Sequence, residues 1–218
     1  MIKMDFSIER IAELKNEMKD RLSEKRYLHT LGVEGVAIKL GEAIMPDRVW
    51  ELRCAALLHD VAKELPKEEL LALASKDARV TNDDLVSSDA VLHAFAAPGV
   101  IKRDFPDLAS SDILSSVFFH TTADPDMSLF DEIIFVADYV EPGRKYQECL
   151  ETGKELFEAL GQAISTDEAV AALHKAAYRE LKSTVNHLLQ KQTKICGRTE
   201  IALAAFEKKI YSNNSLYN

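Results

Sequence analysis

The sequence predicts an all-α protein, a single helical bundle of about eight to ten helices. Three observations carry this. Apolar residues recur at steps of three and four along most of the chain, strand-like alternation is absent, and prolines and capping residues punctuate the chain at helical spacing. In FSIERIAELKNEMKDRL, Ile8, Ile11, Leu14, Met18 and Leu22 mark one apolar face and predict a first helix within residues 1–22. A second is expected over Leu28–Ile44, broken by Pro46, which cannot continue the hydrogen-bond ladder. A third is expected over Asp47–Lys63, stopping near Pro66, and KEELLALAS (67–75) reads as a short fourth. Ser88 or Asp89 is expected to cap SDAVLHAFAA, and Ser110 or Ser111 to cap SSDILSSVFFH. Ser128 with Asp131 three residues on comes close to a capping box for SLFDEIIFVADYV, which EPG (141–143) ends. Residues 166–192 read as one long amphipathic helix.

The chain has 218 residues, enough for one domain with a substantial core, read here as an extra helix (1–22), a core (23–195) and an unassigned tail (196–218). The first helix could cover the core or a partner in a homodimer, and the core is the preferred reading. With 47% hydrophobic and 29% charged residues it falls in the soluble globular class. A net charge of −9 argues against nucleic acid or an anionic membrane as partner, while an anionic small molecule would need a metal or local positive charge. Cys54, Cys149 and Cys196 have no CxxC spacing and read as reduced thiols of a cytoplasmic protein. No apolar run approaches the ~20 residues that span a bilayer, and no secretory signal is read at the N-terminus.

Four histidines and two aspartates lie on or beside apolar helical segments: His29, the adjacent His59-Asp60, His93, His120 and Asp138. Burying such groups unpaired is costly, so the set should be satisfied by its own members or by a metal. Imidazoles and carboxylates without thiolates argue against structural zinc and suit iron(II), manganese, cobalt or magnesium with open positions. Such a centre polarises a phosphoryl oxygen and supplies hydroxide at neutral pH. Neighbouring helical residues point about 100° apart, so Asp60 has room for a second role, bridging or orienting water. Arg26, Lys63 and Arg144 would give the site an anion-binding edge. His174 and His187 are read as having no part in it.

The ordered set His29, His59-Asp60, Asp138 resembles the HD-domain phosphohydrolase superfamily. The stretches RYLHTLGV (26–33), LLHDVAKELP (57–66) and FHTTADPDMSLFDEIIFVADYVEPGR (119–144), with His93 between, look like its YqeK-type branch, described as symmetrical bis(5′-nucleosyl)-tetraphosphatases. The likeness runs over about residues 20–195. It implies the helical HD fold and an iron-type metal on His29, His59, Asp60 and Asp138. His93 and His120 would complete a second metal position or hold phosphate, so one or two ions are expected. The implied substrate is diadenosine tetraphosphate, split in the middle to two ADP, with Arg26, Gly32, Lys63 and Arg144 among the nucleotide contacts. Either His93 or His120 is the candidate acid if the leaving group needs one. One departure is expected to reshape a pocket wall: Ala94 and Phe95 follow His93, and Pro98 is displaced from the family's Gly-Pro position. The ligand set is equally compatible with an HD nucleotidase or phosphodiesterase on another nucleotide, or with a non-catalytic nucleotide-binding domain.

Overall fold

The computed structural model describes residues 4–214; residues 1–3 of the expected first helix and 215–218 of the tail lie outside the described residues. The described residues form eleven α-helices and no strand: α1 Ile8–Arg21, α2 Glu24–Ile44, α3 Val49–Leu58, α4 Lys67–Ala74, α5 Asn82–Ser87, α6 Leu92–Asp104, α7 Ser111–Phe119, α8 Leu129–Val140, α9 Gln147–Gln162, α10 Thr166–Gln190 and α11 Gly197–Asn214. Helices α2, α3, α7 and α8 pack against one another at the centre. On one flank α6 lies on α7 and carries α4; on the other, α10 lies on α8 and carries α9 and α11. None of the described helices is long and apolar enough to cross a membrane.

The expected capping devices form where the sequence places them. Ser110 caps α7 by accepting from the Ile113 N–H, and Ser128 with Asp131 makes a full capping box on α8. Helix α1 buries Ile11, Leu14 and Met18 against α3, so it belongs to the core. Each such side chain stabilises by roughly 2 kcal/mol on burial. Ile8, expected on the same face, is 59% exposed, because the helix only begins there.

Several boundaries differ from expectation. Helix α2 starts at Glu24, four residues early, which puts Arg26 inside its first turn. Helix α3 ends at Leu58 instead of running to Lys63. Beyond it the ladder tightens to three-residue steps: Val61 N–H to Leu58, Lys63 N–H to Asp60 and Leu65 N–H to Ala62. Residues 54–62 are all buried, so this stretch has no solvent face for an amphipathic helix to present. Neither Ser88 nor Asp89 caps α6, which begins at Leu92 after Val91 with no side-chain cap. Ser88 Oγ instead accepts from the Ala90 N–H, and Asp89 pairs with Lys67.

Three helices had no place in the expectation. Helix α5 opens on a capping box of Thr81 and Asp84, and α9 follows the EPG break. The unassigned tail is α11, held at its start by long-range contacts. Arg198 bonds Asp84, Asp124 and the Arg79 carbonyl, and Thr199 Oγ1 donates to the Thr122 carbonyl. Further along, Lys209 and His174 both reach the buried carboxylate of Glu132, at 2.7 and 2.6 Å. His174 therefore ties α10 to α8, in keeping with its exclusion from the site.

Candidate metal centre

Two of the site histidines are set by the same local device. His59 follows α3 and His120 follows α7, each one residue past the helical run, with Nδ1 2.7 Å from the carbonyl three residues back, Ala56 and Val117 respectively. A carbonyl only accepts, so each Nδ1 carries a proton and each Nε2 is left to face the site. The carbonyls are among those a helix end leaves without an intrahelical donor. In the third case, His29 on α2, Nδ1 lies 3.1 Å from Glu141 Oε1, just past α8.

The Nε2 atoms then converge. His29 Nε2 lies 3.3 Å from His59 Nε2 and 3.0 Å from Asp138 Oδ1. With two imidazole nitrogens and a carboxylate oxygen turned to one point, the space between them suits a cation. Asp60 has two sides. Its Oδ2 faces His59 (3.4 Å), His29 (3.7 Å) and Arg26 (2.7 Å), while its Oδ1 faces His93 (3.2 Å), His120 (3.7 Å) and Lys63 (3.9 Å). Ligand atoms of His29, His59 and Asp138 all lie within 4.8 Å of one another, as do those of His59, Asp60 and His120. These donor sets fit a divalent ion, and Asp60 lies where a carboxylate could bridge two.

The charges agree with that reading. Burial favours the neutral Asp60 carboxyl, yet His59, His120 and His93 outweigh it and hold the group well below the usual carboxylate range. Asp138 is likewise driven down against burial, by Arg144 and then His29 and His59. Burial opposes charging of His29, but Asp138 and Glu141 raise it overall. Burial holds His93 down to about 4, so its ring is neutral near pH 7. Burial also lowers Lys63, only partly offset by Asp60 and Asp138; its Nζ lies 3.1 Å from His93 Nε2. Arg144 bonds both the Asp138 carbonyl, at 2.8 Å, and its carboxylate.

All six expected ligand candidates thus meet in one place, with Arg26, Lys63 and Arg144 beside them. Gly32 sits differently from the others: it stands against Glu141, and a Cβ there would lie 2.6 Å from Glu141 Oε2. The same oxygen accepts from the Gly143 N–H at 2.6 Å. Glu141 was read only as part of a helix stop. Its carboxylate, enclosed by two glycines and a histidine 112 positions away, has a role that shows only in space. Thr121, with Oγ1 3.3 Å from His93 Nε2, likewise joins the site with no signal in the sequence. Phe95, expected in a pocket wall, is fully buried with its ring 5.0 Å from that of Phe118, behind the site.

Glu180 on α10 is another residue with no sequence signal. It is buried, its Oε2 has no hydrogen-bond partner among the described residues, and burial together with the Asp138 charge raises its carboxyl well above the ordinary range. A folded state that binds the proton more tightly than the unfolded chain loses stability as pH rises above the unfolded value. Glu180→Gln removes that loss. The variant should gain stability over the parent progressively as pH rises above the ordinary Glu value of about 4.3, seen in urea midpoints. Parallel pH profiles for the two proteins would contradict it.

The HD domain family matches residues 26–143, which holds all six ligand candidates with Arg26, Lys63 and Glu141, while Arg144 lies one residue beyond it. The chain belongs to the HD domain family. The chain is 33% identical to the symmetrical bis(5′-nucleosyl)-tetraphosphatase of Bacillus subtilis over 67% of its own length and 77% of that protein. The protein of the same name from Halalkalibacterium halodurans is 32% identical over 82% of this chain and 87% of its own length. A crystal structure from Clostridium acetobutylicum, titled a predicted HD superfamily hydrolase involved in NAD metabolism, superposes with a TM-score of 0.76 at 28% identity, covering 91% of this chain and 97% of that one. Helices α1, α9, α10 and α11 lie outside the HD domain match.

Proposed function

We propose that this HD domain hydrolyses dinucleoside tetraphosphates, diadenosine tetraphosphate first among them, symmetrically into two nucleoside diphosphates. The observation that carries this is a metal-type donor set edged by Arg26, Lys63 and Arg144 in a protein of net charge −9. The names of the Bacillus and Halalkalibacterium relatives supply the substrate.

In this reading His29, His59, Asp60 and Asp138 hold the ion, iron first and manganese, cobalt or magnesium as alternatives. His93 and His120, with the far oxygen of Asp60, hold a second ion or meet phosphate. The bound ion supplies Lewis acidity and water of lowered pKa. Arg26, Lys63 and Arg144 offset the polyphosphate charge and orient the chain. His120, its Nδ1 proton held by the Val117 carbonyl, faces the site through Nε2, the nitrogen that would pass a proton to a leaving oxygen. His93 has no such carbonyl partner and, neutral at pH 7, donates a hydrogen bond to a phosphate oxygen instead of carrying a full proton. A nucleoside diphosphate leaves without needing one. Gly32 acts through Glu141 and His29. Three buried cysteines in no disulfide among the described residues suit a reducing cytoplasmic setting.

The test is a product assay. Protein loaded with iron(II) or manganese(II) is incubated with diadenosine tetraphosphate and the nucleotides are resolved by anion exchange. ADP as the sole product is expected. AMP with ATP would mean asymmetric cleavage and overturn the proposal; tight nucleotide binding with no turnover would favour a non-catalytic binding domain.

A further inference from the structure

We propose that the cleft between the end of α8, the start of α9 and α10 receives the nucleoside of one nucleoside diphosphate arm; the proposal rests on the hydrolase reading above. The cleft has a volume of about 470 Å³, within the ~300–1,000 Å³ of small-molecule sites. It shares a wall with the metal centre. Tyr139, which lines it, directly follows Asp138, and successive helical residues point about 100° apart. The last turn of α8 thus turns one side chain to the metal donors and the next to the cleft.

Arg144 links the two spaces. It bonds Asp138 on the metal side, and it stands two residues before Tyr146, which lines the cleft. A phosphate neutralised at Arg144 is therefore one step from the cleft. The lining suits a heterocyclic base with a ribose: Tyr146 is 65% exposed, with its ring 6.3 Å from that of His187, and Ser183 and Lys182 stand on α10 opposite. A flat ring can stack on either aromatic, and stacking tolerates any base. Lys182 adds positive charge beside the lining carboxylate Glu148, and Arg179, paired with Glu155, stands at the same wall, which suits a ligand tethered to phosphate.

The test compares ADP with pyrophosphate by calorimetry on metal-loaded protein. Ser183→Trp fills the cleft, and Lys182→Ala, at an exposed position, guards against misfolding. Ser183→Trp should weaken ADP about tenfold or more and leave pyrophosphate within about twofold. Lys182→Ala should weaken ADP by about threefold, with metal content unchanged in both. KM for diadenosine tetraphosphate should rise with kcat held. Unchanged ADP affinity in both variants, or equal loss of ADP and pyrophosphate, would overturn the assignment. A parent protein that cleaves no dinucleoside tetraphosphate, yet loses ADP selectively in Ser183→Trp, would sink the hydrolase reading and leave the cleft standing.

Discussion

Asp60→Asn is expected to lower turnover of diadenosine tetraphosphate by about 10³-fold or more and to strip the protein of most of its metal. The two oxygens of Asp60 face the two halves of the donor set, one toward His29 and His59 and the other toward His93 and His120. The amide keeps the volume but loses the charge and presents an N–H₂ to one side. That group would point either at the lone pairs of His29 and His59 or at His93 and His120. Arg26 and Lys63 would also lose the carboxylate that faces them. Removing one partner from a buried charged cluster typically costs ~3–5 kcal/mol, so stability should fall while helix content stays near native. Metal per chain by elemental analysis, turnover and far-UV circular dichroism together check this. Normal metal content with normal turnover would remove the proposed centre.

Gly32→Ala should weaken metal binding by about 10–100-fold without touching a ligand. The new Cβ would lie 2.6 Å from Glu141 Oε2, closer than any real contact, and that carboxylate is buried with little room to yield. Displacing it breaks the bonds to His29 Nδ1 and the Gly143 N–H, freeing the imidazole ring and its tautomer. Gly35→Ala on the same helix is the control, since nothing lies within 4 Å of its Cβ. Ala is also the better helix former, so both variants should fold at least as readily through α2 itself. Affinity is read by competition with a chelator. Equal metal affinities in the two variants would refute the role given to Glu141.

Legibility in the sequence followed the range of the interaction. The capping box of Ser128 and Asp131 closes over three residues, and the apolar face of α1 repeats within a turn, so both could be read directly. The long helix α10 was read to within two residues of its end, where Gln192 adopts a φ of 53°. Helix α11 was not legible, because what holds its start is remote in sequence: Arg198 reaches Asp84 and Thr199 reaches Thr122. The end of α3 was misplaced for a related reason. An unbroken apolar run looks helical, but total burial of residues 54–62 lets the backbone tighten at His59-Asp60.

The sequence by itself determined that this is an all-α chain and which side chains could bind a metal. Residue type carries ligand chemistry, and helical periodicity carries which side faces inward. Only the tertiary structure decided what each group does. The carbonyls of Ala56 and Val117 set the tautomers of His59 and His120, Glu141 sets His29, and the fold turns Asp60 so that its two oxygens face different partners. Lone-pair direction and carboxylate orientation depend on atoms brought together across up to 112 positions of chain, and no local pattern encodes them.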